Sequence, residues 1–199
     1  RFAQGFADTL RNVPGVLAQE RYGEESRLSI RGSGIAQGFH QRGVLLAQDG
    51  VPFADADGFS DFQGVDALSA RYIEVWKGSN TLRFGGAQLG GAINLVTPTG
   101  RTALQETLLQ LEGGSFGSVR GHAAMARTHN DWDVYAAVTG MQSDGWRDHS
   151  QQSQGRLTVN AGRSFGDDRE VRLIAQAADI KQDIPGALTL DQALKTPRM

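Results

Sequence analysis

The residues best suited to chemistry lie in short glycine-rich or acidic stretches. Gly32-x-Gly34-x-x-x-Gly38 follows an alternating run and imitates the turn that binds a dinucleotide. That motif works only where a helix begins next, because the helix N-terminus holds the pyrophosphate. Here Phe39-His40-Gln41-Arg42-Gly43 leads straight into another extended run, so the pattern stands without its helix. Asp55-Ala56-Asp57-Gly58, with Asp61 and Asp66, resembles a calcium loop. Its glycine is fourth where the loop needs it sixth, and Asp66 is twelfth where a bidentate Glu belongs, so a solvated acidic loop fits better. Gly85-Gly-Ala-Gln88-Leu-Gly90-Gly91 lacks the Lys-Ser/Thr pair of a phosphate-cradling loop. Its glycines are read instead as backbone freedom where another surface approaches closely. The four histidines, His40, His122, His129 and His149, have no metal-site spacing. No serine is read as a nucleophile elbow, and no carboxylate pair stands out as an acid/base couple. The expectation is no enzyme and no metal site.

Bulk properties narrow the classes further. A net charge of −2 over 199 residues gives no electrostatic case for nucleic acid or for an anionic membrane surface. The absence of cysteine excludes disulfide scaffolds and thiolate metal sites. No segment approaches the ~18 to 20 continuous apolar residues of a membrane helix. The 26 glycines are about twice the usual share of roughly 7%, and they punctuate short strands. Arg1 begins inside an amphipathic stretch, and Pro185-Gly186 opens a loop with no landing element before Met199. Both ends suggest a piece of a longer protein.

The elements that must position these residues change character near Pro98. Apolar spacing at Phe2, Phe6 and Leu10 predicts a helix over 2–12, stopped by Pro14-Gly15. Strands are expected at 16–18, 27–31 and 43–48, the last closed by Asp49-Gly50, and 51–64 is read as loop. A short helix over 65–70 precedes a strand at 72–76, a turn at Gly78, a helical turn over 80–83 and a strand at 92–96. This is a small α+β module. From Leu104 the period becomes two, giving five strands of about ten residues, each with one apolar and one more polar face. On β-periodicity alone a soluble sandwich and a transmembrane barrel are nearly even. Tight connections at 129–131 and 166–168, against long ones at 142–154 and from 182, favour the barrel. Trp132 and Phe165 then sit together at the tight-turn end, as an interfacial aromatic girdle requires.

The ordered motifs now carry a resemblance. Asp8-Thr-Leu-Arg-Asn-Val-Pro-Gly15, Leu28-Ser-Ile-Arg-Gly32 and Leu45-Leu-Ala-Gln-Asp-Gly-Val-Pro52 precede Ile73-Glu-Val-x-Lys-Gly78, Arg83-Phe-Gly85, Gly90-Gly-Ala-Ile-Asn94 and Thr97. In that order they resemble the plug of TonB-dependent outer-membrane receptors. Gly114-Ser-Phe-Gly117 and Pro185-Gly-Ala-Leu-Thr189 are similar to the early barrel segments of that family. Residues 39–46 and 56–63 lean toward its ferric-siderophore and ferric-dicitrate branch.

The resemblance implies an α+β plug domain over 1–98, a small mixed sheet with short helices. Over 99–199 it implies the first five strands of a transmembrane β-barrel and the start of the third extracellular loop, in a plugged barrel of about 22 strands. The implied function is active import of a ferric chelate, a siderophore or ferric citrate, across the bacterial outer membrane. The chelate would be a transported substrate, with no covalently bound cofactor. Haem, cobalamin or another nutrient is the alternative cargo, and a soluble β-rich binding protein or adhesin is the alternative of another class. Implied partners are the TonB–ExbB–ExbD energy-coupling complex, acting through a segment not present here, and outer-membrane lipid and lipopolysaccharide, but no nucleic acid. Substrate contacts are expected from His40, Gln41, Arg42, Asp55, Asp57, Arg83 and Gln88, since arginine pairs well with the carboxylates of an anionic chelate. Contacts between plug and barrel, and gating, are expected from Arg31, Glu74, Lys77, Gly85, Gly90 and Gly91.

Overall fold

A computed structural model of the chain describes residues 5–20, 26–33, 43–53, 62–85, 89–166 and 168–198. It divides into two compact units, Arg1–Pro98 and Thr99–Met199.

The first unit is α+β. Helix α1, Phe6–Leu10, buries Phe6, Ala7 and Leu10. Strands β1, Val16–Glu20, and β2, Ser26–Ile30, pair antiparallel. A second sheet holds β3 (Val44–Gln48), β4 (Val51–Pro52), β5 (Tyr72–Lys77) and β6 (Gly91–Val96) in the order β4-β3-β6-β5. Its β3–β6 pairing is parallel and the other two are antiparallel, so the sheet is mixed. Flanked on both sides, β6 is buried over five consecutive residues and reads as a continuous run instead of an alternation. Ile93 and Leu95 join Phe6, Leu10, Leu28, Ile30, Val44, Leu46 and Val65 in one core.

Several elements depart from the expected bounds. Residues 51–64 are not all loop: Val51–Pro52 pairs with β3, and proline is tolerated because β4 is an edge strand. The hairpin between them turns through Asp49 and Gly50, both with positive φ (50° and 81°), the two-residue geometry that Asp-Gly favours. The helix expected over 65–70 is a single 3-10 turn, Ala67–Ser69, and the turn expected over 80–83 is a 3-10 helix running Gly78–Phe84. It stops at Gly85, whose φ of 103° suits only glycine.

The second unit is an antiparallel meander in the order β11-β10-β9-β8-β7, and the stretch after Pro185, expected to hold no element, contains a short helix, Leu190–Lys195, capped by Thr189. Its strands are β7 (Thr107–Gly113), β8 (Val119–His129), β9 (Trp132–Ser143), β10 (Gln152–Ser164) and β11 (Glu170–Gln182). The long connection is shorter than expected, residues 144–151. Gln142, Ser143 and residues 152–154 stay in the ladder, because backbone pairing does not require apolar side chains.

Burial in this sheet is inverted. Asp133, Tyr135, Ala137 and Thr139 of β9 and Gln154, Arg156, Thr158 and Asn160 of β10 are buried. The apolar face is the open one, with Leu111 75% and Leu173 67% exposed against 1% for Asn160. A water-soluble sandwich would bury the opposite face, because removing apolar area from water drives its folding. Outward apolar and inward polar alternation is the pattern of a wall in lipid. No described helix is long and apolar enough to cross a membrane, which says nothing of strands.

Candidate functional site

The expected signature of the first unit converges on β6. Asn94 is buried, and its Oδ1 accepts from the Gly50 N–H at 2.9 Å. Its Nδ2 donates to Glu74 Oε2 at 3.0 Å, and the same oxygen accepts from Trp76 Nε1 at 3.2 Å. One strand turn on, Thr97 donates from N and from Oγ1 to the two carboxylate oxygens of Asp49, at 2.8 and 2.7 Å. Gln48 Nε2 donates to Thr97 Oγ1 at 2.9 Å. These bonds tie the β3–β4 turn to the end of β6 and β5 to its middle. Glu74, expected as a gating residue, is thus a member of this network; Asp49, Asn94 and Thr97 were legible only as motif letters.

Lys77 Nζ donates to the carbonyl of Pro14, joining the end of β5 to the turn before β1. Arg31, itself left-handed at φ 54°, donates its backbone N–H to the Gly15 carbonyl at 2.9 Å. Its guanidinium lies beside Gly78, where an added Cβ would be 3.5 Å from Nη1. Gly90 and Gly91 are wedged. A Cβ on Gly90 would fall 1.7 Å from Ser33 Oγ and 2.8 Å from the Gly43 carbonyl oxygen. One on Gly91 would fall 2.4 Å from the Trp76 carbonyl oxygen. Close approach, the expected reason for the glycines of this stretch, is what the space around Gly90 and Gly91 requires, whereas nothing lies within 4 Å of a Cβ on Gly85, where positive φ is the reason instead.

Of the expected substrate contacts, Arg83 lies within the described residues. It ends the 3-10 helix, with its guanidinium 4.9 Å from the Trp76 ring centroid and 5.3 Å from that of Phe84. Stacked there, it keeps its donors available while the rings hold the plane in place. His40, Gln41, Arg42, Asp55, Asp57 and Gln88 lie outside the described residues. Asp66 is not part of a solvated acidic loop. It is buried and caps the 3-10 turn, accepting from Leu68 N at 3.0 Å and Ser69 Oγ at 2.6 Å. Among the described residues no three acidic or histidine side chains gather as a metal would need. Gly113-x-Ser115-x-Gly117 does spell the nucleophile-elbow pattern, but it turns between antiparallel β7 and β8 with no helix after it, so no elbow forms.

In the second unit Trp132 and Phe165 are exposed near the tight turns, with Arg163 between them, 5.1 and 4.7 Å from the ring centroids. A polar cleft at the opposite end is lined by Ser143, Asp144, Gln151, Lys181 and Asp183.

A glycine-wedged mixed sheet followed by an inverted β-wall is the architecture of a plugged outer-membrane receptor, and residues 1–92 match the family model of the TonB-dependent receptor plug domain. The first unit is such a plug domain. Among curated relatives, it is 28% identical to the rhizobactin receptor of Rhizobium meliloti, over 75% of this chain and 23% of that protein. It is 24% identical to the vitamin B12 transporter BtuB of Vibrio vulnificus, over 70% of this chain and 22% of the other. The chain therefore spans about a quarter of the length of these relatives. Among solved structures, the copper transporter OprC superposes with a TM-score of 0.72 at 19% identity, over 91% of this chain and 28% of that one. The ferric-catecholate import receptor Fiu of E. coli gives 0.66 at 20%, over 88% and 24%.

Proposed function

We infer that residues 1–98 are the plug, and 99–199 the first five wall strands, of an outer-membrane receptor that imports a ferric chelate. The inverted burial of the second sheet carries this reading: its apolar face is open and its polar face buried, which suits lipid outside and a polar bore inside. Similarity to a rhizobactin receptor and to a ferric-catecholate import receptor supports a ferric chelate as cargo. The chelate would meet residues 34–42 and 54–63 with Arg83 and Gln88, where His40, Arg42 and Arg83 offer positive or donor groups to its carboxylates. Energy would come from the TonB–ExbB–ExbD complex through a segment before the plug. Gly85, Gly90 and Gly91, with Arg31, Glu74 and Lys77, would form the part that yields.

The cargo is the open choice, since relatives named for vitamin B12 and for copper share the architecture. A deletion strain grown under iron limitation on single ferric chelates tests it. Restored growth on one chelate, dependent on the full-length gene, is the expected result. Growth unaffected by the gene on every chelate, with a response to cobalamin or copper instead, would replace the cargo and leave the architecture standing.

A further inference from the structure

The ladder of the second sheet puts Asp133 of β9, Gly162 of β10 and Arg172 of β11 in one cross-strand row. The middle position has no side chain for a steric reason: a Cβ on Gly162 would lie 2.4 Å from Arg172 Nη2. Through that gap the guanidinium crosses β10 and donates to both oxygens of Asp133, Nη1 at 3.1 Å and Nη2 at 2.9 Å. Nη1 also donates to Asn160 Oδ1 at 2.8 Å, and Nη2 to the Glu170 carboxylate. The Asp133 side chain is fully buried.

Its remaining partners come from the start of the second unit. The Gly100 N–H donates to Asp133 Oδ1 at 2.9 Å, and Arg101 Nε lies 3.5 Å from Oδ2. Gly100 is seated so closely that a Cβ would fall 2.3 Å from the Arg127 carbonyl oxygen and 2.7 Å from Val134 N. Arg101 Nη2 donates to the Asn130 carbonyl at 3.0 Å. Thr99 and Thr102 close a tight turn on each other, each N–H donating to the other's hydroxyl at 2.9 and 3.1 Å. Ala103 then packs against Ala126, Tyr135 and Ala137.

Ladder bonds alone already hold the three strands together. A buried carboxylate adds nothing to them unless its charge is matched, and removing one partner of such a pair is strongly destabilising. What Asp133 adds is a connection that the ladder lacks. It ties residues 99–103, the chain's exit from the first unit, to the short-turn end of the sheet.

We propose that Asp133, oriented by Arg172 across Gly162, is the anchor that keeps residues 99–103 seated on the wall while the plug rearranges during import. Both are positioning residues, and the proposal rests on the import reading above. The test uses the full-length receptor in its own outer membrane, free of other cysteines, with Ala103→Cys as a reporter; the 199 residues supply no competing thiol. A small maleimide that reaches the periplasm reports detachment through its labelling rate. With Asp133 present, labelling is slow and equal in resting and transporting cells. Asp133→Ala raises the rate about tenfold or more, Arg172→Ala acts in the same direction, and Arg172→Lys, which keeps the charge, falls between. Where Asp133→Ala does not assemble, the Arg172 pair is judged by the same criteria. A rate that climbs during transport with Asp133 intact overturns the anchor while leaving import standing. An Asp133→Ala receptor that assembles yet labels as slowly as its parent overturns it too. If no ferric chelate is taken up, the import reading fails instead, and the resting rates still decide whether Asp133 holds this segment.

Discussion

Replacing Asn94 by alanine leaves the Gly50 N–H and the Glu74 carboxylate each one partner short inside a largely buried network. A loss of about 1–3 kcal/mol is expected. Hydrogen exchange on the full-length receptor should show faster exchange in the 49–52 turn and in β5, with the wall strands unchanged. Gly90→Ala acts by a different route, forcing a methyl against Ser33 and the Gly43 carbonyl. It should cost about 1–3 kcal/mol through displaced backbone and lower the yield of assembled receptor. Arg83 is the residue on which substrate recognition can be judged directly. Arg83→Ala should weaken binding of an anionic ferric chelate about tenfold, the worth of one charged hydrogen bond, with Arg83→Lys in between because lysine lacks the planar fork that stacks on Trp76. Equal binding by all three would remove Arg83 from the site.

The strands of the second unit were legible at once, because Trp132, Val134, Ala136 and Val138 alternate with the more polar face Asp133, Tyr135, Ala137 and Thr139, and a two-residue period has no other regular explanation. Which face is buried was not legible from alternation, which is the same whether lipid or a core meets the apolar side; only loop lengths and the Trp132 and Phe165 pair favoured the apolar face outward. Burial decides it, and a substitution can check it. Leu157 lies mid-strand on the open face of β10. Leu157→Arg should cost about 2–4 kcal/mol in a bilayer, read by urea titration of the full-length receptor folded into lipid vesicles, whereas on a soluble surface it would be nearly neutral. In the first unit the strands were again legible but the bonds between them were not. Asp49 and Thr97, like Gly50 and Asn94, lie more than forty residues apart, and no local pattern announces such a pair. Asp66 was read as part of a solvated acidic loop because it follows Asp55, Asp57 and Asp61 in sequence; its actual partners, Leu68 and Ser69, make it the buried cap of a 3-10 turn.

At the scale of the whole receptor, a wedged plug continues into a wall, and the connection is pinned at Asp133. Chain order made the two units visible, since glycine-broken mixed elements give way to a pure two-residue period after Pro98. Cargo was not legible, because most of the residues expected to touch it fall in stretches whose sequence imposes no periodicity. The measurement that bears most directly on the account is uptake of radiolabelled ferric chelate by cells that carry the full-length receptor, with and without an uncoupler. The account predicts that energised cells accumulate the iron, and that the uncoupler abolishes accumulation while surface binding persists. Accumulation that survives the uncoupler, or a receptor that binds no ferric chelate, would contradict a plug-gated importer.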